Sequence, residues 1–99
     1  MKKTALVVLT DGFEEIEAIT PIDLLRRADT EVTIASATES LDLKGKMGVV
    51  IRAEVLLDAC QGSQYDLLVL PGGPGVFTLR DDARVLELIR ARVNAELPV

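Results

Sequence analysis

Histidine is missing altogether from this 99-residue sequence, and cysteine occurs once, as Cys60. Without histidine, no Ser-His-Asp triad and no histidine-based metal site can be assembled from these residues alone. A single cysteine cannot close an internal disulfide. With no secretory leader pattern, the chain is expected in a reducing compartment, the cytoplasm. Tryptophan is absent and aromatic residues make up 3%, so the core has to be built from Leu, Ile, Val and Ala. Such a core suits helices packed on a parallel sheet that is buried on both faces. Long apolar runs are also lacking: Ala5–Leu9 is too short for a signal segment or a membrane span. Positive charge is in the minority, with 11 Lys and Arg against 16 Asp and Glu and a net charge of −5. That balance argues against sequence-independent nucleic-acid binding, which needs clustered cations. Arg80, Arg84, Arg90 and Arg92 lie close together, but acidic residues are interspersed, and they read as a solvated helix face.

What is present fits one small globular domain over residues 1–99, with 48% hydrophobic and 27% charged residues. Ala5–Leu9 is short, apolar and β-rich and is followed by Asp11-Gly12, the pattern of a central parallel strand. Phe13 to Ala28 reads as a helix, interrupted or bent at Pro21, with Ile16, Ile19, Leu24 and Leu25 as its apolar positions. Glu31–Ala35 alternates and is expected as a second strand nearer the sheet edge. Leu41–Leu43 and Gly48–Arg52 are expected to pair as a hairpin around Lys44-Gly45-Lys46, and Val55–Ala59 to form one helical turn. Asp66–Leu70 is the third core strand, ended by Pro71-Gly72-Gly73-Pro74-Gly75. Asp81 or Asp82 caps a helix from Ala83 to Asn94 whose buried stripe is Val85, Leu88, Ile89 and Val93. With right-handed crossovers, this order gives an open three-layer α/β sandwich around a parallel central sheet. Leu97-Pro98-Val99 reads as the start of a fourth strand. Three strands and two substantial helices would leave much apolar surface wet. These residues are therefore expected to fold beside a second piece, from a cleaved or split polypeptide, that carries the fourth strand.

In an open parallel sheet, ligands bind beyond the carboxyl ends of the strands. Two loops occupy that edge, Thr10–Glu17 and Pro71–Gly75. Of the three glutamates in the first, at the start of the helix, Glu14 and Glu15 read as complements of the helix N-terminus. If Ile16 faces the core, Glu17 faces the crevice, where partial desolvation favours a carboxyl that shares a proton. In the second loop, Gly72 and Gly73 let backbone N–H groups approach a ligand closely and hold an oxyanion. The same Pro-Gly-Gly also fits a plain strand-to-loop turn. The loop is neither a P-loop, since Gly-Lys-Ser/Thr is missing, nor the glycine fingerprint of dinucleotide binding, and no cofactor or metal is expected. Cys60 lies away from both loops with no His or Lys beside it and reads as structural.

Three segments in this order resemble the ThiJ/PfpI family, especially the branch containing the Parkinson-disease-associated deglycase. They are Ala5-Leu-Val-Val-Leu-Thr-Asp-Gly-Phe-Glu-Glu-Ile-Glu17, Pro21-Ile-Asp-Leu-Leu-Arg-Arg-Ala28 and Tyr65-Asp-Leu-Leu-Val-Leu-Pro-Gly-Gly73. The resemblance implies a flavodoxin-like fold, a homodimer, and a nucleophilic cysteine on a strained turn after the fourth core strand, a few residues beyond Val99. Glu17 matches the carboxylate that tunes that cysteine, and Gly72 and Gly73 match the glycines lining the pocket. The implied activity is that of a cysteine-dependent glyoxalase or deglycase acting on small dicarbonyls or their adducts. A redox-sensing thiol protein or chaperone, or a PfpI-type peptidase, is the alternative. Met47, with Lys46 beside it, stands where close relatives often carry an anion-binding arginine, so that contact is not carried over.

Overall fold

The computed structural model describes residues 2–60 and 62–99. Its core is a four-stranded parallel sheet built on β1 (Thr4–Leu9), in which residues 5–9 are all buried. β1 pairs on one side with β2 (Glu31–Ser36) and on the other with β6 (Leu67–Val69), in the registers Val7↔Ile34 and Val7↔Val69. β5 (Val55–Leu56) extends the sheet beyond β2, giving the order β5-β2-β1-β6. A hairpin of β3 (Asp42–Lys44) and β4 (Val50–Arg52) forms a separate two-stranded sheet.

Alternation along β1 divides the core in two. Ala5, Val7 and Leu9 join Phe13, Ala18, Ile22, Leu43 and Ala53 under α1 (Glu15–Arg27) and the hairpin. Leu6, Val8 and Leu68 join Leu57, Cys60, Leu79 and Val85 under a 3-10 turn (Leu57–Cys60), α2 (Val76–Arg80) and α3 (Ala83–Asn94). The sheet is thus coated on both faces, the three-layer flavodoxin-like arrangement expected of an apolar parallel sheet. Asp66 ties the start of β6 to β1 by accepting from the Thr4 N–H at 2.8 Å. That bond, working against burial, holds the Asp66 carboxyl below the usual carboxylate range.

Several elements differ from the sequence expectation. α1 continues through Pro21, whose missing N–H leaves the Glu17 carbonyl without its helical donor. The helix holds because Ala18, Ile22 and Leu25 pack on the sheet. Ile16, Ile19 and Leu24 point outward, with Ile16 72% exposed. β3 lies one residue further on than expected, β4 is two residues shorter, and residues 45–49 form the loop between them. Val55-Leu56 is a strand rather than helix, because it finds the β2 edge at Ala35 and Ser36. β2 is therefore an interior strand. Further along that edge the Ile34 N–H donates to the Glu54 carboxylate and the Ile34 carbonyl accepts from the Glu54 N–H, which leaves β2 little free ladder. α2 has no counterpart in the sequence reading. α3 starts and stops as expected, capped by the Asp82 side chain on the Arg84 N–H. Its inward stripe, however, ends in Arg92, while Val93 is exposed.

The arginine group is likewise not a plain solvated face. Arg84 donates to Asp58, Asp82 and the Ala37 carbonyl, joining α3 to the 3-10 turn and the end of β2. Its guanidinium is stabilised in the charged form by Asp82 first and Asp58 next.

Candidate active site

At the carboxyl edge of the sheet, the loop after β1 and the loop after β6 are stitched together through backbone. The Glu14 N–H donates to the Gly72 carbonyl at 2.9 Å and the Gly75 N–H to the Gly12 carbonyl at 3.0 Å. The hairpin closes in from the side: the Gly12 N–H donates to the Lys44 carbonyl, and the Lys46 N–H to that of Phe13. Phe13, buried beneath these contacts, anchors the junction in the core.

The three acidic residues at the start of α1 have three different tasks. Glu14 is the N-cap, its carboxylate accepting from the N–H groups of Ile16 and Glu17, as expected for a helix N-terminus. Glu17 turns toward the second loop, and its Oε1 accepts from the Gly72 N–H at 2.9 Å. The two candidate site elements therefore meet. The route differs from the expected one, since Ile16 does not face the core and Glu17 is exposed. A Cβ on Gly72 would land on the Glu17 carboxylate, so the close approach needs glycine there. Gly73 adopts φ +99°, where an added Cβ would meet the Glu14 N at 2.7 Å and the Gly12 O at 2.8 Å.

Glu15 is not the simple helix-end complement expected. It is buried in phase with Ala18, Ile22 and Leu25, and its Oε2 accepts from the N–H groups of Met47 at 2.8 Å and Val49 at 3.2 Å. It pins the hairpin loop to the start of α1. Burial opposes ionisation of Glu15, but the N–H groups of Glu15, Val49 and Met47, with Lys46 nearby, outweigh it and hold the carboxyl below the ordinary glutamate range. A depressed value means that the unfolded chain binds the proton more tightly. The stabilisation is therefore complete above the ordinary range and is lost as pH falls through the lower folded value. Acidification is expected to release the Met47 and Val49 amides before the amides of β1. Amide exchange followed from neutral to acid pH checks this, and Glu15→Gln should loosen the same two amides at neutral pH.

Cys60 is 3% exposed within the second hydrophobic cluster, beneath the sheet face and away from the glycine loop. Its thiol lies against the Tyr65 hydroxyl, and burial, together with that contact, raises the Tyr65 phenol above its usual range. Among the described residues, no helix is long and apolar enough to cross a membrane.

A parallel sheet with helices on both faces, whose carboxyl edge joins a helix-borne carboxylate to a glycine loop, defines a flavodoxin-like α/β protein with its candidate site on the usual edge. The chain belongs to the DJ-1/PfpI family, whose sequence profile matches residues 3–99. It is 46% identical over 94 residues to protein DJ-1 homolog B of Arabidopsis thaliana, a match covering 94% of this chain and 22% of that protein. It is 34% identical over 100 residues to protein/nucleic acid deglycase 2 of Escherichia coli K12, covering 100% of this chain and 58% of that one. Oxidized DJ-1 of Toxoplasma gondii superposes with a TM-score of 0.88 at 33% identity, covering 91% of this chain and 50% of that structure. The chain thus spans 22% of the first of these relatives' length and 58% of the second's.

Proposed function

We propose that this chain supplies the carboxylate and the glycine loop of a cysteine-dependent glyoxalase or deglycase-type site for small dicarbonyls or their adducts. The observation that carries this reading is the 2.9 Å bond from the Gly72 N–H to the Glu17 carboxylate. It fixes one carboxylate oxygen at the strand ends and leaves the other free to exchange a proton. The nucleophile is a cysteine on a turn after a fourth strand, contributed by the polypeptide past Val99 or by a second piece beside it. Its thiolate adds to the aldehyde carbon, and a C–S bond forms as the carbonyl π bond opens to an oxyanion. Glu17 takes the proton that the thiol gives up on forming the thiolate and passes it to that oxygen. With the Gly72 N–H given to Glu17, stabilisation of the oxyanion falls to the Gly73 N–H. The similarity to a protein/nucleic acid deglycase supports the substrate class. The working compartment is the cytoplasm.

A homodimer completes the reading. Ile16, Met47 and Val50 are 72%, 75% and 60% exposed, and Glu15 holds their two segments side by side. Ile16→Glu should then shift the protein to a monomer in sedimentation, and an unchanged sedimentation coefficient would remove this part of the proposal.

The similarity to an oxidized DJ-1 structure favours one second reading, a redox-sensing thiol protein without turnover. The test is methylglyoxal consumption by the intact protein. Turnover that disappears on replacing the cysteine past Val99 supports the enzyme. A peroxide response with no turnover supports the sensor. Cys60→Ser is expected to leave turnover unchanged, and its loss with the fold intact would transfer the nucleophile's role to Cys60.

A further inference from the structure

Arg92 is 7% exposed, and all its polar contacts go to main-chain carbonyls. Nη1 donates to the Tyr65 carbonyl at 2.6 Å and Nη2 to that of Asp66 at 2.7 Å, both just ahead of β6. Nε donates to the Pro98 carbonyl at 2.8 Å, in the segment that leaves α3. The same Pro98 carbonyl accepts from the Leu68 N–H on the outer edge of β6, at 3.3 Å. A helix that only needed to pack on a sheet would bury an apolar residue here. A planar fork of donors instead reads the relative position of two main-chain segments.

The chain turns sharply to reach that position. α3 ends with the Leu97 N–H on the Arg92 carbonyl and the Glu96 N–H on that of Val93, with Glu96 at φ 59°. This is a Schellman closure made without glycine, so its left-handed residue is held against its own preference. The turn brings Pro98 back beneath Arg92 and alongside β6.

We infer that Arg92 is a positioning residue that fixes the register in which the chain leaving α3 joins the open edge of β6. In a parallel ladder, a Leu68 N–H on the Pro98 carbonyl pairs Leu68 with Val99. Gly72 lies four positions beyond Leu68. The residue level with Gly72 is therefore about four positions past Val99 when the strand continues. The importance of this for chemistry rests on the cysteine-site reading above, because a slip of one residue would turn the nucleophile to the other face of the sheet.

The test uses the intact protein carrying Arg92→Lys or Arg92→Gln, with amide exchange read at Leu68 and at Val7 in the sheet centre. Lysine keeps the stem and the charge but cannot span three carbonyls, so it remains informative where glutamine prevents folding. Exchange at Leu68 is expected to accelerate about tenfold or more, with Val7 within about twofold of wild type. Equal acceleration at both amides would reduce Arg92 to general stability, and no change at Leu68 would remove its role altogether; either overturns the inference. The rate of thiol alkylation against pH is read on the same variants. A shifted profile links the register to the cysteine. A selective effect at Leu68 with an unshifted profile leaves the register role standing and counts against the cysteine-site reading alone.

Discussion

Glu17→Gln in the intact protein is expected to lower methylglyoxal turnover by about a hundredfold or more, the usual scale for losing a positioned proton-transfer group. Glutamine keeps the shape and still accepts the Gly72 N–H through its amide oxygen, so the loop contact at 2.9 Å can survive. What disappears is the second oxygen as a proton carrier. The comparison that decides is Glu17→Ala, which removes both the proton and the contact. If proton transfer is the main role, the two variants lose similar activity. If Glu17 only buttresses the loop, Gln is near wild type and only Ala is impaired, and the catalytic assignment fails. Glu17 is exposed and its removal opens no core cavity, so both variants should melt close to wild type.

Gly73→Ala is expected to destabilise the fold by about 3 kcal/mol or more, a large share of the roughly 5–15 kcal/mol available to a domain. About 1–2 kcal/mol comes from placing an L side chain in the left-handed region. The rest comes from backbone, because the new Cβ would press on the Glu14 N at 2.7 Å and the Gly12 O at 2.8 Å. Neither can rotate aside, since Glu14 is bonded to Gly72 and Gly12 to both Gly75 and Lys44. Gly62→Ala is the control. It shares a positive φ, +81°, but nothing among the described residues lies within 4 Å of an added Cβ, so only the backbone cost of about 1–2 kcal/mol remains. Denaturant unfolding of both variants measures the difference. Equal losses would show that the two strand-end loops are not locked together as described.

The sequence was most legible where local pattern and tertiary demand agree. β1, β2, β6 and α3 with its Asp82 cap all follow from short apolar runs and a capping residue. The phase of α1 was not legible from its largest apolar residues, which select Ile16 and Leu24. The helix instead lies on the sheet through Ala18, where a small side chain permits close approach, and the period from Ala18 carries Glu15, Ile22 and Leu25 inward. In α3, seven positions on from Val85 is Arg92, so periodicity pointed to Arg92 rather than Val93, against the polarity of the side chain. β5 could not be read locally, because two residues become a strand only by finding Ala35 and Ser36. α2, at five residues, is shorter than any periodic signal. At the site, the glycine loop and Glu17 were visible as residue types. That Glu15 would pin the hairpin depended on the course of residues 45–49, which no local rule supplies.

The alternation of β1 separates in energy what is adjacent in sequence. Val7 contributes to the cluster beneath α1 and Val8 to the cluster beneath α3, and both are fully buried. Neighbours on one strand here share no apolar partners, whereas Val7 and Ile22, fifteen residues apart, belong to one packing unit. Truncations at Val7 and Val8 should therefore combine almost additively, while truncations at Val7 and Ile22 should interact. A single strand thus acts as a partition between two thermodynamic compartments. Substitutions can accumulate on the α3 side while the wall beneath the Glu15–Glu17 turn stays as it is.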